Sequence, residues 1–234
     1  MSPSSVVELT ASSSAFVQDS SFWVVVLMTL WLYLSGFLAN TFAMMWGKWL
    51  PKTGYGPWPI DGGKVWKDGE RLLGDGKTWN GLIGGSLTSG LLCMLISISM
   101  GTPESYTDME SGIFVHPLTG YEDTWWNVGG LEASAFLLGT MLGFFCLLGD
   151  MTGSFFKRRR GLKREGNVSS KAPILDTLPF AIMLFILGQL CLGSALLSST
   201  ALLPAMVVLI IATPILHRSF NLIGYAIGWK DVPY

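Results

Sequence analysis

The sequence predicts an all-α integral membrane protein with five transmembrane helices. Half of its 234 residues are hydrophobic and only 13% are charged, whereas a soluble domain carries about 25% charged residues. Five long apolar runs follow one another, and a membrane-spanning helix needs about 20 such residues. The runs cover 22–46, 81–100, 128–148, 174–197 and 201–216, the last continuing toward residue 228.

The first four runs are each long enough for one span. The fifth run is interrupted by His217 and Arg218. Because charged side chains are costly in the hydrocarbon core, we expect the lower end of this helix to reach the interface or to face protein.

The distribution of basic residues predicts the orientation. All 15 Lys and Arg residues lie in 47–79, in 151–172 or at the C-terminal end, and the segments 101–127 and 198–200 have none. Basic loops remain on the cytoplasmic side, so we expect the N-terminus outside and the C-terminus in the cytoplasm. Five spans place the two ends on opposite sides of the membrane, which agrees with this orientation. We expect residues 1–234 to form a single membrane domain.

The segments outside the spans differ in character. The serine-rich start, 1–20, is expected to be a mobile tail. Loop 47–80 is rich in Gly, Pro and charge, but apolar residues such as Trp58 would anchor it, so we expect an ordered loop folded against the membrane face. The fold would then have an acidic outer loop, 101–127, and two long, ordered cytoplasmic loops, 47–80 and 151–173.

Two carboxylates stand at the cytoplasmic ends of neighbouring spans. Asp150 ends the third apolar run and Asp176 begins the fourth. Acidic residues just inside a span are functional candidates, and magnesium usually takes one or two carboxylates together with phosphate oxygens. The pair therefore indicates a magnesium site, and the alternative is a pair of ordinary interfacial acids.

A basic cluster follows Asp150. If the third helix continues past it, Ser154 and Lys157 or Arg158 lie on the same face, where cations could hold a polyphosphate. The cluster could equally be a stop signal that sets the topology. The glycine-rich first loop could approach phosphates closely, or it could be a salt-bridged cap.

The C-terminal end brings a third polar group. His217 and Asn221 are spaced by four residues and Arg218 is adjacent to the first, so a helix would present them together. A lipid phosphate or an interfacial hydrogen-bond network would suit this group, and so would a simple helix end.

Two motifs resemble those of a known family. Residues 75–85 resemble the Lys-Thr-Trp-x-Gly-x-x-Gly-Gly stretch of membrane CTP–phosphatidate cytidylyltransferases, and 154–163 resemble their Ser-x-x-Lys-Arg-x-x-Gly-x-Lys signature. More closely, the segments 59–85, 173–176 and 217–234 resemble those of CDP-archaeol synthases.

The resemblance implies an archaeal membrane enzyme with its active site on the cytoplasmic face. Such an enzyme uses CTP, Mg²⁺ and an unsaturated archaetidic acid, 2,3-di-O-geranylgeranylglyceryl phosphate, and yields CDP-archaeol and pyrophosphate. The family often has a second acid where this chain has Pro179, so we expect one magnesium ion. No nucleic-acid partner is expected.

We expect four groups of site residues. They are Asp150, Asp176, Lys157 and Arg158 for catalysis; Asp75, Lys77, Asn80, Ser154, Lys157, Arg158 and Lys163 for CTP; Lys64, His217, Arg218 and Asn221 for the lipid phosphate; and Asp150 and Asp176 for the metal.

Two other classes of function remain open at this point. A CTP-dependent prenol or lipid kinase would share the nucleotide but release CDP. A non-catalytic lipid transporter or binder would be expected to carry polar residues at mid-span and often inverted repeats. The spans hold little of this kind beyond Asn40, Glu132 and Gln189, which favours an interfacial enzyme.

Overall fold

The computed structural model describes residues 12–104, 112–162 and 172–226. Within these ranges the chain is helical, and its only extended pairings are two isolated β-bridges. The helices are α1 (12–19), α2 (Phe22–Leu32), α3 (Leu34–Trp49), α4 (Trp79–Met100), α5 (Leu131–Arg159), α6 (Pro173–Cys191) and α7 (Leu203–Ala226), with short 3₁₀ helices at Leu50–Thr53, Leu196–Ser198 and Thr200–Leu202.

Several of these helices are long and apolar enough to cross a bilayer. Helices α4 and α5 qualify, as does α6 over Ile174–Cys191. Helices α2 and α3 qualify together, with a bend of 43° between them. The described residues thus contain three candidate spans, or four if the bent pair is one span. The protein is a multi-pass, all-α membrane protein. The fifth predicted span corresponds to α7 with the 3₁₀ helix before it, and its apolar part, Thr200–Ile215, is shorter than the other candidate spans.

Helices α4 and α5 approach each other closely because glycines line their contact. A Cβ atom added at Gly139 would lie 2.5 Å from the carbonyl oxygen of Ser89, and one added at Gly90 would lie 2.7 Å from that of Phe136. Small residues allow helix backbones to pack this closely in membranes. The contact fixes the start of α4 beside the second half of α5.

Helix α6 packs against the next stretch of α5 in the same way. A Cβ atom at Gly149 would overlap the backbone of Pro179, and one at Gly153 would lie 2.5 Å from the carbonyl oxygen of Leu175. The first turn of α6, which contains Asp176, therefore lies against the last turns of α5. Helix α5 continues without a break from Leu131 to Arg159. The third helix thus extends past Asp150, as the placement of Ser154 and Lys157 on one face requires.

The start of the chain differs from the expected mobile tail. Residues 1–11 lie outside the described residues, but 12–19 are helical. Phe16 and Val17 are buried, and the hydroxyls of Ser13 and Ser199 are hydrogen-bonded at 3.1 Å. The expectation is therefore wrong for 12–19, because these two apolar side chains dock α1 on the helix bundle.

Loop residues close the end of the bundle opposite the first long loop. The indole N–H of Trp31 donates to the carbonyl of Val115 at 3.0 Å, and that of the fully buried Trp126 donates to Leu192 at 2.9 Å. His116 is also buried and contacts the carbonyl of Ser97 at 3.2 Å. These hydrogen bonds tie residues 115–126 to α2, to α4 and to the end of α6.

Candidate active site

The first long loop, residues 50–78, is organised around Asp61. This residue is only 5% exposed. The guanidinium of Arg71 donates to its carboxylate through Nη2 at 2.5 Å and through Nε at 3.2 Å. Three backbone N–H groups also donate to the carboxylate, those of Gly63 at 3.1 Å, Leu73 at 3.0 Å and Gly74 at 2.9 Å.

These donors determine the charge state of Asp61. Burial alone would raise the pKa of its carboxyl group, but the hydrogen bonds from Arg71 and from the backbone of Gly74, Leu73 and Gly63 outweigh it and hold the pKa well below its ordinary value. Asp61 is therefore ionised, and its charge fixes the path of the loop.

Arg159, in the last turn of α5, holds the loop against the bundle. Its Nε lies 2.7 Å from the carboxylate of Asp68, and its Nη2 donates to the carbonyls of Glu70 and Arg71 at 3.1 and 2.7 Å. The guanidinium also lies over the ring of Phe155, 4.9 Å from its centroid. For these residues, the interpretation of the loop as a salt-bridged cap is correct.

The last turn of the loop delivers Lys77 to α5. The N–H of Lys77 donates to the carbonyl of Gly74 at 3.2 Å, which closes the turn. The ammonium of Lys77 then lies 2.5 Å from the carboxylate of Asp150, and both side chains are largely buried, at 22% and 13% exposed. Thr78 follows directly and caps α4, its hydroxyl accepting a hydrogen bond from the N–H of Gly81.

A second ion pair joins α5 to α6. Lys157 lies seven residues, or two turns, beyond Asp150 on α5, and its ammonium pairs with the carboxylate of Asp176. Lys157 and Ser154 are both buried. Asp176 stands in the first turn of α6, where the helix dipole favours a negative charge. The site therefore contains two carboxylates and two ammonium groups, arranged as two neutral pairs.

Arg158, the residue after Lys157 in α5, contacts the backbone of the first loop. Its Nε donates to the carbonyl of Leu73 at 3.4 Å and its Nη1 donates to that of Leu162 at 2.5 Å. A Cβ atom added at Gly74 would lie 3.3 Å from Nε. The side chain is thus held directly beneath the turn that carries Lys77.

Two further residues proposed for CTP have their hydrogen-bond or ion-pair partners elsewhere. The carboxylate of Asp75 pairs with Arg71 at 2.9 Å and is 82% exposed at the surface of the loop. Asn80 is buried; its Nδ2 donates to the carbonyl of Tyr55 at 3.3 Å, whereas its Oδ1 has no hydrogen-bond partner among the described residues. Lys163 lies outside the described residues.

The proposed lipid-phosphate residues are not brought together by any contact in the described ranges. Lys64 and Arg218 are both exposed, one in the first loop and one in α7. The side chains of His217 and Asn221 lie outside the described part of the structure.

The donor set suits magnesium only if phosphate oxygens complete it. Across 12–104, 112–162 and 172–226 there is no group of three or more His, Cys, Asp or Glu side chains placed to hold a metal ion. Asp150 and Asp176 offer two carboxylates from adjacent helices. Because Mg²⁺ takes oxygen ligands and is often held by one or two carboxylates plus substrate phosphates, these two residues fit a metal that arrives with a nucleotide.

Sequence reasoning gave no separate role to Asp61, Arg71 or Arg159. Asp61 was one of several acids in a loop of mixed charge, and its only local signal is the pair of glycines that follows it. Its main partner stands ten residues away, and no helical or strand period links the two positions. Tertiary structure alone shows that Asp61 organises the loop.

Comparison with known proteins identifies the family. A model of the CarS-like family, described as CDP-archaeol synthase, matches residues 22–234. The CDP-archaeol synthase of Methanosphaerula palustris is 38% identical over 201 residues, covering 86% of this chain and 99% of the relative. That of Thermococcus kodakarensis is 33% identical over 216 residues, covering 92% and 98%.

One solved structure is also similar, an intramembrane enzyme for the biosynthesis of archaeal membrane lipids. It shares 28% sequence identity and covers 82% of this chain and 91% of its own, with a TM-score of 0.47, a superposition too loose to support an argument about the fold. The sequence matches are sufficient by themselves: the chain belongs to the CarS-like family of CDP-archaeol synthases and is a membrane cytidylyltransferase.

Proposed function

We propose that this protein transfers CMP from CTP to an unsaturated archaetidic acid, 2,3-di-O-geranylgeranylglyceryl phosphate, in a magnesium-dependent reaction. The products are CDP-archaeol and pyrophosphate. The observation that supports the proposal is two largely buried ion pairs, Lys77–Asp150 and Lys157–Asp176, at one end of helices α4, α5 and α6. Family membership supplies the class of reaction.

The chemistry requires little beyond alignment and charge neutralisation. An oxygen of the lipid phosphate attacks the α-phosphorus of CTP; the new P–O bond forms as the bond to the β-phosphate oxygen breaks, and pyrophosphate leaves with its electron pair. Because the phosphate monoester is already ionised near neutral pH, no strong general base is needed. Positioned cations and a fixed geometry are the main sources of rate in such a step.

The two lysines and two carboxylates would exchange partners when substrate binds. Lys77 and Lys157 would turn from the carboxylates to phosphate oxygens of CTP, and Arg158 would add a third positive group. Asp150 and Asp176, released from the lysines, would hold the magnesium ion. When bound, that ion neutralises charge on the phosphate oxygens. In the free enzyme the ion pairs keep the partly buried charges compensated.

The same end of the bundle would face the cytoplasm. The concentration of Lys and Arg in 47–79 and 151–172 supports this orientation. It implies five spans, with α7 as the fifth and the N-terminus outside. The prenyl chains of the lipid would remain between the spans, and Lys64, His217, Arg218 and Asn221 remain our candidates for its phosphate.

The reaction is tested by following both products together. Purified protein in detergent is incubated with Mg²⁺, CTP labelled in the cytidine and the unsaturated diether glycerol phosphate. Equal release of pyrophosphate and lipid-bound label supports the proposal. Formation of CDP with a newly phosphorylated lipid would instead identify a kinase, and absence of turnover with any lipid phosphate would point to a binding or transport role.

A further inference from the structure

The peptide groups of Leu73 and Gly74 connect a buried acid to two cations of the site. On one side, their N–H groups donate to the carboxylate of Asp61 at 3.0 and 2.9 Å. On the other side, the carbonyl of Leu73 accepts from Arg158 at 3.4 Å, and the carbonyl of Gly74 accepts from the N–H of Lys77 at 3.2 Å.

This arrangement makes the positions of Lys77 and Arg158 depend on Asp61. Gly74 has a φ of +89°, a backbone conformation that is available to glycine at little cost. Because glycine can adopt many backbone conformations, the Leu73–Gly74 segment keeps a single one only when residues outside the segment hydrogen-bond to it. The Asp61 carboxylate supplies those contacts, and its remaining acceptor capacity is used by Arg71 and Gly63.

We propose that Asp61 is a positioning residue for the nucleotide. It does not touch CTP; it fixes the Leu73–Gly74 backbone, and through that backbone it sets the distance between the loop cation Lys77 and the helix cation Arg158. The proposal rests on the function proposed above, in which these two cations bind the triphosphate.

The substitution Asp61→Asn is the direct test. The amide keeps the size of the side chain but loses the charge and one of the two acceptor oxygens, so it cannot satisfy all of the present donors. We expect the KM for CTP to rise at least 10-fold while the KM for the lipid phosphate changes less than twofold. Asp61→Glu, which keeps the charge but displaces the carboxylate by one methylene, should give an intermediate KM for CTP.

A matched control is available in the same loop. Asp68 also pairs with an arginine, Arg159, but the N–H groups of Leu73 and Gly74 donate to Asp61 and not to Asp68. Asp68→Asn should leave the KM for CTP within twofold of the wild-type value. Thermal unfolding of each variant in detergent shows whether it is folded at the assay temperature; where Asp61→Asn is not, Asp61→Glu carries the comparison.

The outcomes separate positioning from a purely structural role. A folded Asp61→Asn protein with a lower unfolding temperature but an unchanged KM for CTP would overturn the proposal. If the wild-type protein shows no cytidylyl transfer, the proposed function fails, and calorimetric titration with CTP then tests positioning separately. Weaker binding of CTP by Asp61→Asn would still support positioning, and equal binding would refute it.

Discussion

The ammonium of Lys77 lies 2.5 Å from the carboxylate of Asp150, although 73 residues separate them in the chain. The contact joins the last turn of the first loop to the middle of α5, across the close packing of α4 on α5. The contact therefore depends on the first loop, α4 and α5 together. In the proposed exchange of partners, Lys77 would move to the nucleotide as Asp150 takes the metal, so this ion pair would couple the two binding events.

Removing Lys77 should separate metal binding from nucleotide binding. In Lys77→Met, Asp150 has no ammonium partner, so Mn²⁺ in the absence of CTP should bind more tightly than to the wild-type protein. Turnover should fall about 100-fold, in the range seen when one stabilising donor is removed. Electron paramagnetic resonance of free Mn²⁺ measures the first effect; Lys52→Met, at an exposed position, should change neither quantity. An unchanged Mn²⁺ affinity in Lys77→Met would contradict the exchange.

The second ion pair should show a different balance between stability and activity. Lys157→Met leaves the carboxylate of Asp176 without its partner, which costs about 3–5 kcal/mol for a fully buried pair and less here, because both groups keep some exposure. The double variant Lys157→Met/Asp176→Leu has no unpaired charge, so its thermal stability in detergent should largely return to the wild-type value. Neither the single nor the double variant should turn over substrate. Recovery of activity in the double variant would show that the pair is structural only.

The glycine contact between α4 and α5 should tolerate no added methyl group. Gly139→Ala would place a Cβ atom 2.5 Å from the backbone carbonyl of Ser89, and such overpacking costs about 1–3 kcal/mol. The unfolding temperature should fall, and turnover should fall with it because Lys77 moves relative to Asp150. Leu95→Val, on an exposed part of α4, serves as the control; equal unfolding temperatures for the two variants would refute this account of the contact.

His116 should make stability sensitive to mild acid. Burial lowers the pKa of its imidazole, partly offset by contacts with the carbonyls of Ser97 and Gly101. The folded state therefore holds the neutral ring, and its contribution is complete above the unfolded pKa of about 6.5. As the pH falls below that value the unfolded state gains a proton first, so stability decreases. The unfolding temperature measured from pH 7.5 to 5 should drop less steeply in His116→Gln than in the wild-type protein.

Much of the helical framework could be predicted from the sequence because apolar length and helical period are local properties. The apolar runs correspond to α2 with α3, α4, α5, α6 and α7. The same pattern predicted Asp176 near the start of a helix, and it lies in the first turn of α6. Asp150 ends the apolar run but not the helix, because α5 continues to Arg159 and brings Ser154 and Lys157 onto one buried face. The sequence did not predict that α1 docks on the bundle, because in 12–19 three serines outnumber the two buried apolar residues, Phe16 and Val17.

The partners within the site could not be predicted in the same way. The motif in 75–85 marks Lys77 as a candidate for CTP, but nothing in the local pattern shows that it reaches Asp150 while Lys64 is exposed. Likewise, Asp61 and Asp75 both pair with Arg71, yet one is buried beneath the loop and the other faces outward. These differences arise from how the loop 50–78, which is close in length to the predicted 47–80, folds onto the helix ends. No periodic pattern along the chain encodes how this loop folds.

If the two ion-paired carboxylates form the active site, removing their charge while keeping their size should abolish turnover. Asp150→Asn, Asp176→Asn and the control Glu122→Gln are purified in detergent, checked by thermal unfolding and assayed for transfer of labelled CMP to the unsaturated diether glycerol phosphate. We expect both aspartate variants to be folded and inserted but without turnover, and the control to match the wild-type protein. Retained activity in either aspartate variant would contradict the account.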